Sequence, residues 1–397
     1  MRSRNSVTVS DRQVQMLAED WLRTAMPLRD VGWKCTSRRL WQIVLLAAAR
    51  MSSVFAVCRD LVGAPCDQAV RNALTACLPA RPLTLEQWLH PALCGPQLPG
   101  AIFRKARQVA IDWHLIPYHG QPHRHANELY HSLPRSGTSK FHAYATACVV
   151  EQGYRYTLAA TSVKGSESPL AVLERLLDRL QARGLKIKVL LLDRQFFSAP
   201  VLERLQQRRI PFLMPVALRG RRPKRRSRRG TKPGVRKLRD FLRCAAGRYR
   251  YTWTVKQSSA SFTVVVAYKS YRHDKTGQRR SKRLLFAAWN VSGAPVELRE
   301  LYRRRFGIES SYRQLGQARI RTCTTDPVQR LFFVLVGLVL RNVWVWLHFT
   351  YFAERRNGEL VLHLERLRFR RMLHWIANAI TRELHDGSSF STQLQLE

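Results

Sequence analysis

Hydrophobic spacing changes character twice along the chain. Through the first 95 residues apolar positions recur at helical intervals. Ser37 to Arg50 carries Leu40, Ile43, Val44 and Ala47 on one face, with Ser37 placed as the N-cap. Ser52-Ser53 opens a short helix to Leu61, Gly63-Ala64-Pro65 ends it, and Asp67 starts a third that runs through Leu78. The proline-rich stretch from Pro79 to Gly100 predicts a linker.

Beyond that linker the pattern turns to short apolar runs, which predict strands. Gln108 to Trp113 is one such run and contains Asp112 near its end. Phe141 to Val150 and Tyr154 to Ala160, split by Gln152-Gly153, predict a hairpin. Leu170 to Leu180 has a helical stripe, and Lys188 to Leu192 reads as a buried strand ending at Asp193. A helix from Pro200 to Gln207 and a strand from Pro211 to Val216 follow. This order predicts an α/β fold with a mixed sheet. Tyr249 to Val255, Phe262 to Tyr268 and Leu284 to Trp289 predict three more strands, a β-rich insertion between Asp193 and Glu309. After Pro295 the pattern is helical to a frayed tail from His385. Leu331 to Leu347 is the most apolar segment, but Arg341 and Asn342 interrupt it, which predicts a buried helix rather than a membrane span.

Charge then narrows the function. The 397 residues hold 68 Lys and Arg against 27 Asp and Glu, a formal charge of +41. Such an excess calls for a polyanionic partner, and a globular sequence with dispersed aromatics favours nucleic acid over a membrane. From Arg219 to Lys237, 11 of 19 residues are Lys or Arg, Arg225 and Arg226 among them, and none is acidic. This block predicts an extended loop that binds DNA by counterion release. A second basic turn spans Arg272 to Arg283. The three N-terminal helices fit a helix-turn-helix unit with Gln68, Arg71 and Asn72 on its third helix, although any small helical bundle shows the same pattern. The eight cysteines are scattered without a C-x-x-C pair, which fits a reducing cytoplasm. His114, His119, His123, His125 and His131 follow no common zinc-ligand spacing and are read as loop histidines. No glycine-rich phosphate loop appears, so ATP is not implied.

Three acids stand out against this cationic background. Asp112 and Asp193 lie at strand ends, where carboxylates can gather hard divalent cations such as Mg²⁺ or Mn²⁺. Glu309 lies in Tyr-Arg-Arg-Arg-Phe-Gly-Ile-Glu; at ~100° per residue Tyr302, Arg305 and Glu309 share one helical face. Leu298, Leu301, Ile308, Tyr312 and Leu315 form the adjoining apolar stripe. The bland account is a solvated helix with an Arg305–Glu309 pair at i, i+4, worth a few tenths of a kcal/mol.

Ile111-Asp112, Leu192-Asp193-Arg194-x-Phe196-x-Ser198 and Tyr302-x2-Arg305-x3-Glu309 resemble the three signatures of DDE transposases. The nearest likeness is to the bacterial and archaeal insertion-sequence group with a β-strand insertion. The resemblance spans residues 105 to 350. It implies a ribonuclease H-like core over 105–216 and 290–350 and a basic insertion over 217–289. A helical DNA-binding domain over 1–95 and a C-terminal helix and tail over 351–397 complete that division. It further implies that Asp112, Asp193 and Glu309 bind two divalent ions. Nicking at transposon ends and strand transfer into target DNA would follow, in a DNA-bound homodimer associated with a prokaryotic nucleoid and without ATP or a membrane. Tyr302, Arg305 and Arg194 would meet DNA near the cut, and Trp253 or Trp289 would stack on an unpaired base. The third signature continues in the family with Lys seven positions after the Glu, where this chain has Gly316. Arg313, about 40° from Glu309 on the helical projection, is the residue placed to take over that phosphate contact. Two other readings remain open: a silent, transposase-derived DNA-binding protein and a structure-specific nuclease on the same fold.

Overall fold

The computed structural model describes residues 9–61, 63–94, 101–151, 154–218, 237–272, 277–356 and 359–385. Five helices come first: α1 (Asp11–Ala25), α2 (Ser37–Ala49), α3 (Val54–Asp60), α4 (Asp67–Cys77) and α5 (Pro82–Cys94). Ser10 caps α1 by accepting from the Gln13 amide, and Thr36, one residue before the expected Ser37, caps α2 by accepting from Arg39. The expected linker is largely a helix. Pro82 is tolerated in its first turn, where an amide hydrogen would have no partner, and Pro91 lies inside it. Trp21 ties this region together by donating to the Ala92 carbonyl at 2.6 Å.

A four-residue helix, α6 (Ala101–Arg104), leads into the sheet. Its strands are β1 (Arg107–Pro117), β2 (Tyr130–Arg135), β3 (Thr138–Glu151), β4 (Tyr154–Val163), β5 (Ile187–Leu192), β6 (Phe212–Pro215), β7 (Gly247–Val255), β8 (Ser258–Arg272) and β9 (Arg279–Trp289). Among the described residues these nine form one sheet, β2-β3-β1-β5-β6-β9-β8-β7, with β4 also paired to β3. β1, β5 and β6 run parallel and the remaining pairs are antiparallel, so the sheet is mixed as expected. The three strands read as an insertion continue this sheet through β9, whose Phe286 pairs with Pro215 and whose Trp289 pairs with Phe212. The Arg219–Arg236 part of the basic block, with Arg225 and Arg226, lies outside the described residues.

Helices cover both faces. α7 (Pro169–Ala182) and α8 (Ala199–Gln207) join the larger apolar core on one side. α9 (Pro295–Arg303) and α10 (Phe306–Leu315) place Leu298, Tyr302 and Ile308 against Ala110, Leu191, Leu213 and Phe286 on the other. α11 (Pro327–Tyr351) is long and apolar enough to cross a membrane, yet it is buried among other elements, in agreement with the buried-helix reading. Its two interrupting polar residues act as staples. Asn342 donates to the Leu93 and Thr157 carbonyls at 2.9 and 2.7 Å and accepts from the Thr157 amide. Arg341 donates to Gln314 and to the Arg155 carbonyl. Each buried polar group is thus met, and the helix is held to α5, β4 and α10 at once.

The C-terminal part departs from the all-helical expectation. β10 (Ala353–Arg356) and β11 (Glu359–Leu362) form a small hairpin. α12 (Phe369–His385) then packs back on α1 and α2, bonding Arg382 to Asp11 and Glu383 to Arg38 and Gln42. α1, α2 and α12 therefore share one helical body.

Candidate active site

β1 and β5 pair in parallel, with Ile111 beside Leu192. The next residue on each strand is an acid, so Asp112 and Asp193 stand side by side at the carboxyl end of β5. Side chains alternate along a strand, and Asp112 therefore faces the same side as Ala110, the side covered by α9 and α10.

The third acid arrives on a broken helix. Pro295 begins α9, and Glu297 accepts from the Ala294 amide at 2.9 Å. α9 ends at Arg303 and α10 begins at Phe306, so the continuous helix expected from the stripe is kinked at Arg304-Arg305. Tyr302 remains on the core side: it is buried, its ring packs 5.1 Å from Phe286, and its hydroxyl donates to the Leu192 carbonyl at 3.2 Å.

Arg305 is the centre of the arrangement. It is 5% exposed, and its guanidinium donates to Asp112 at 2.7 Å and to Glu309 at 3.1 Å, with Asp193 at 4.0 Å. Three carboxylates far apart in sequence thus face one cation. The Arg305–Glu309 pair of the bland account exists, but it is one of three contacts rather than a solvated surface bridge. Tyr312, seen in the sequence only as part of the apolar stripe, supports the site from the other side. Its hydroxyl donates to the Asp112 carbonyl at 2.8 Å and meets Thr146 at the same distance, while its ring stacks on His114 at 4.6 Å.

Burial pushes the Asp112 carboxyl up to about 6; Arg305 pulls against that shift and Asp193 adds to it. Burial opposes the Arg305 charge, but Tyr302 and the three acids outweigh it and hold the guanidinium more firmly protonated. Burial, reinforced by Arg319, lowers His114 to about 4, so it is neutral at pH 7. Burial raises both Tyr302 and Tyr312, which stay neutral hydroxyls.

Among the described residues no three His, Cys, Asp or Glu side chains stand close enough together to hold a metal ion. The acids are arranged around the Arg305 guanidinium rather than around a common point. Their donor chemistry nonetheless fits a hard divalent ion: all three are carboxylates, no thiol is among them, and a positive charge already occupies their centre.

The other expected contacts divide. Arg194 is exposed and follows Asp193 directly. Arg313 is exposed and donates to Ser310 at 3.1 Å, and Gly316 follows the end of α10. Trp253 stacks on Phe197 at 4.9 Å and Trp289 on Phe212 at 6.3 Å, so both expected base-stacking rings are packed on core phenylalanines. The helix-turn-helix candidates bond chiefly to one another: Arg71 pairs with Asp67 and donates to Gln68, which donates to Asn72.

The family described as a transposase DDE domain matches residues 104–340, more than half the chain. No curated protein matches the chain. Among solved structures, one similar chain is that in the cryo-EM structure of the piggyBac transposase synaptic complex with hairpin DNA. It is 12% identical with a TM-score of 0.52, over 94% of this chain and 82% of that one. At this identity the likeness is one of fold, a transposase fold with a ribonuclease H-like core.

Proposed function

The chain belongs to the transposase DDE-domain family, and on that premise we propose that it is a DNA transposase whose acids are Asp112, Asp193 and Glu309. The family generally uses divalent metal ions. In this reading the three carboxylates hold two Mg²⁺ or Mn²⁺ ions, nick DNA at the ends of an insertion sequence and direct strand transfer into a target. The observation that carries the proposal is the convergence of all three acids on Arg305. A cationic chain that sets three of its 27 acids around one arginine leaves acid in excess there, which further positive charge would balance.

When bound, the ions would polarise the scissile phosphodiester and the attacking oxygen. The chain's own residues prepare that site. Arg305 favours ionised Asp112 in a buried setting that would otherwise neutralise it. Tyr302 fixes the end of β5 through Leu192, and Tyr312 fixes β1 through the Asp112 carbonyl. Arg194 and Arg313, both exposed, are the proposed phosphate contacts, with Arg313 serving where Gly316 leaves no lysine. Residues 1–95 are the proposed DNA-binding domain, 217–289 the basic insertion, and two copies would join two ends without ATP.

The test is a Mn²⁺-dependent nick in DNA carrying the inverted repeats that flank the gene. Wild type should cleave and Asp193→Asn should not. Equal cleavage by both would remove the enzyme assignment. Binding without cleavage by wild type would favour a silent descendant, and cleavage indifferent to the repeats with no joined product would indicate a structure-specific nuclease.

A further inference from the structure

We propose that the free ends of β8 and β9 form a two-stranded ribbon that enters the major groove of duplex DNA beside the candidate active site. The proposal rests on the transposase reading only for naming DNA as the partner. β7 accompanies β8 as far as Val266, opposite Gly247. Beyond that point β8 has β9 alone, paired from Tyr268↔Arg283 through Lys269↔Lys282, Ser270↔Ser281 and Tyr271↔Arg280 to Arg272↔Arg279. Side-chain exposure changes at the same place, from buried Val264 to Ala267 to exposed Lys269 to Arg272 and exposed Arg279 to Arg283.

Position links this ribbon to the acids. β9 passes Pro215, the last residue of β6, at Phe286, so residues 279–285 extend past the carboxyl ends of β6 and its parallel neighbour β5. Asp193 stands at that same end, directly after Leu192. The root of the ribbon is fastened to α9, where Arg299 donates to the Tyr268 carbonyl. Arg305 lies six residues further on, just past the end of α9.

Charge names the occupant. Lys269 faces Lys282 and Arg272 faces Arg279, and like charges directly opposite destabilise a strand pair. Among the described residues the side chains of Lys269, Arg272, Arg279, Arg280 and Lys282 have no hydrogen-bond or ion-pair partner, and none of the ribbon's described residues is acidic. Nothing among the described residues compensates this repulsion, and an external anion is the compensation proposed. Alternation puts Lys269, Tyr271, Arg280 and Lys282 on one face; the other includes Tyr268 and Arg283, which bond to each other at the root. Five pairs span about 14 Å, and a two-stranded ribbon fits a major groove ~12 Å wide. Tyr271 is the only large apolar side chain exposed on it, too little for insertion into lipid. The first face is the one assigned to the groove.

The experiment titrates a random-sequence 30-base-pair duplex with full-length protein at several salt concentrations and maps guanine N7 by dimethyl sulfate. Wild type should protect N7. The triple variant Lys269→Ala, Arg280→Ala, Lys282→Ala should lose that protection and show a log–log salt slope shallower by roughly 2 to 3. It should also melt no lower than wild type, because a like-charge pair has been relieved. An unchanged slope and footprint, a lower melting temperature, or a shallower slope with no N7 protection in wild type would each overturn the groove assignment; the last would point to phosphate-only or acidic-protein contact. A greater loss of N7 protection in Arg272→Ala, Arg279→Ala would overturn the choice of face. Asp193→Asn should keep the wild-type slope and footprint, so failure of the ribbon and failure of the catalytic reading give different results.

Discussion

At Asp112, stability and chemistry pull in opposite directions. Its carboxyl titrates near 6 in the native protein against 3.8 when free. Between those values the native state binds the proton that the unfolded chain has released, so folding stability falls as pH rises from about 4 to 6 and is level above. The difference corresponds to about 3 kcal/mol at most. Asp112→Asn should therefore melt higher than wild type at pH 8, match it near pH 4, and cleave no DNA. A lower melting temperature at pH 8 would mean that the ion pair with Arg305 outweighs desolvation. Arg305→Ala tests the other partner. Without the guanidinium the three acids face one another, and the loss should be about 3 to 5 kcal/mol at pH 8. Acidification through pH 6 should recover part of it, and Mn²⁺ should raise the melting temperature of this variant more than that of wild type. Equal Mn²⁺ effects on both proteins would argue that the acids do not share an ion.

At the scale of elements, the site depends on how α10 is seated. An added Cβ at Gly337 on α11 would lie 2.7 Å from Leu315 Cδ1 and 3.2 Å from the Ala318 carbonyl. Gly337→Ala should cost about 1 to 3 kcal/mol and shift the C-terminal end of α10, whose first turns carry Glu309. Cleavage rate should then fall at least tenfold with DNA affinity unchanged; a variant with full activity would show that α10 is seated elsewhere. Such contacts are what the sequence could not disclose. The apolar runs leading to Asp112 and Asp193 were legible because buried parallel strands are continuous apolar runs. Only β5 stops at its acid; β1 continues past Asp112 to Pro117, paired there with β3, so the expected strand end at Asp112 is only the end of the apolar run. β2 was missed because its residues are mostly exposed and include Pro134, and α5 because its prolines read as a break. Arg305 was visible as the i, i+4 partner of Glu309, but its bond to Asp112, 193 residues away, exists only once β1 and α10 meet. Trp253 and Trp289 are half-buried and stacked on Phe197 and Phe212, packing partners that the spacing of residues along a strand does not name.

For the molecule as a whole, 41 uncompensated charges set two opposed dependences on salt. Ion pairs absorb many arginines, as at Arg179 with buried Glu86 and at Arg175 with Glu167, yet 68 cations cannot be matched by 27 acids. Without DNA the surplus repels itself and disfavours the compact state, and salt relieves this as the screening length falls from ~30 Å at 0.01 M to ~8 Å at 0.15 M. With DNA the same surplus displaces condensed counterions, and salt opposes binding: six to ten phosphate contacts would lose roughly 10³ to 10⁵ in affinity between 50 and 200 mM. The melting temperature of the free protein should therefore climb over the range in which its affinity for duplex DNA collapses. Melting temperature that is flat or falls with added salt would show that the surplus does not strain the fold. The repulsion would then be too well dispersed for the like-charge pairs of the β8–β9 ribbon to matter to stability.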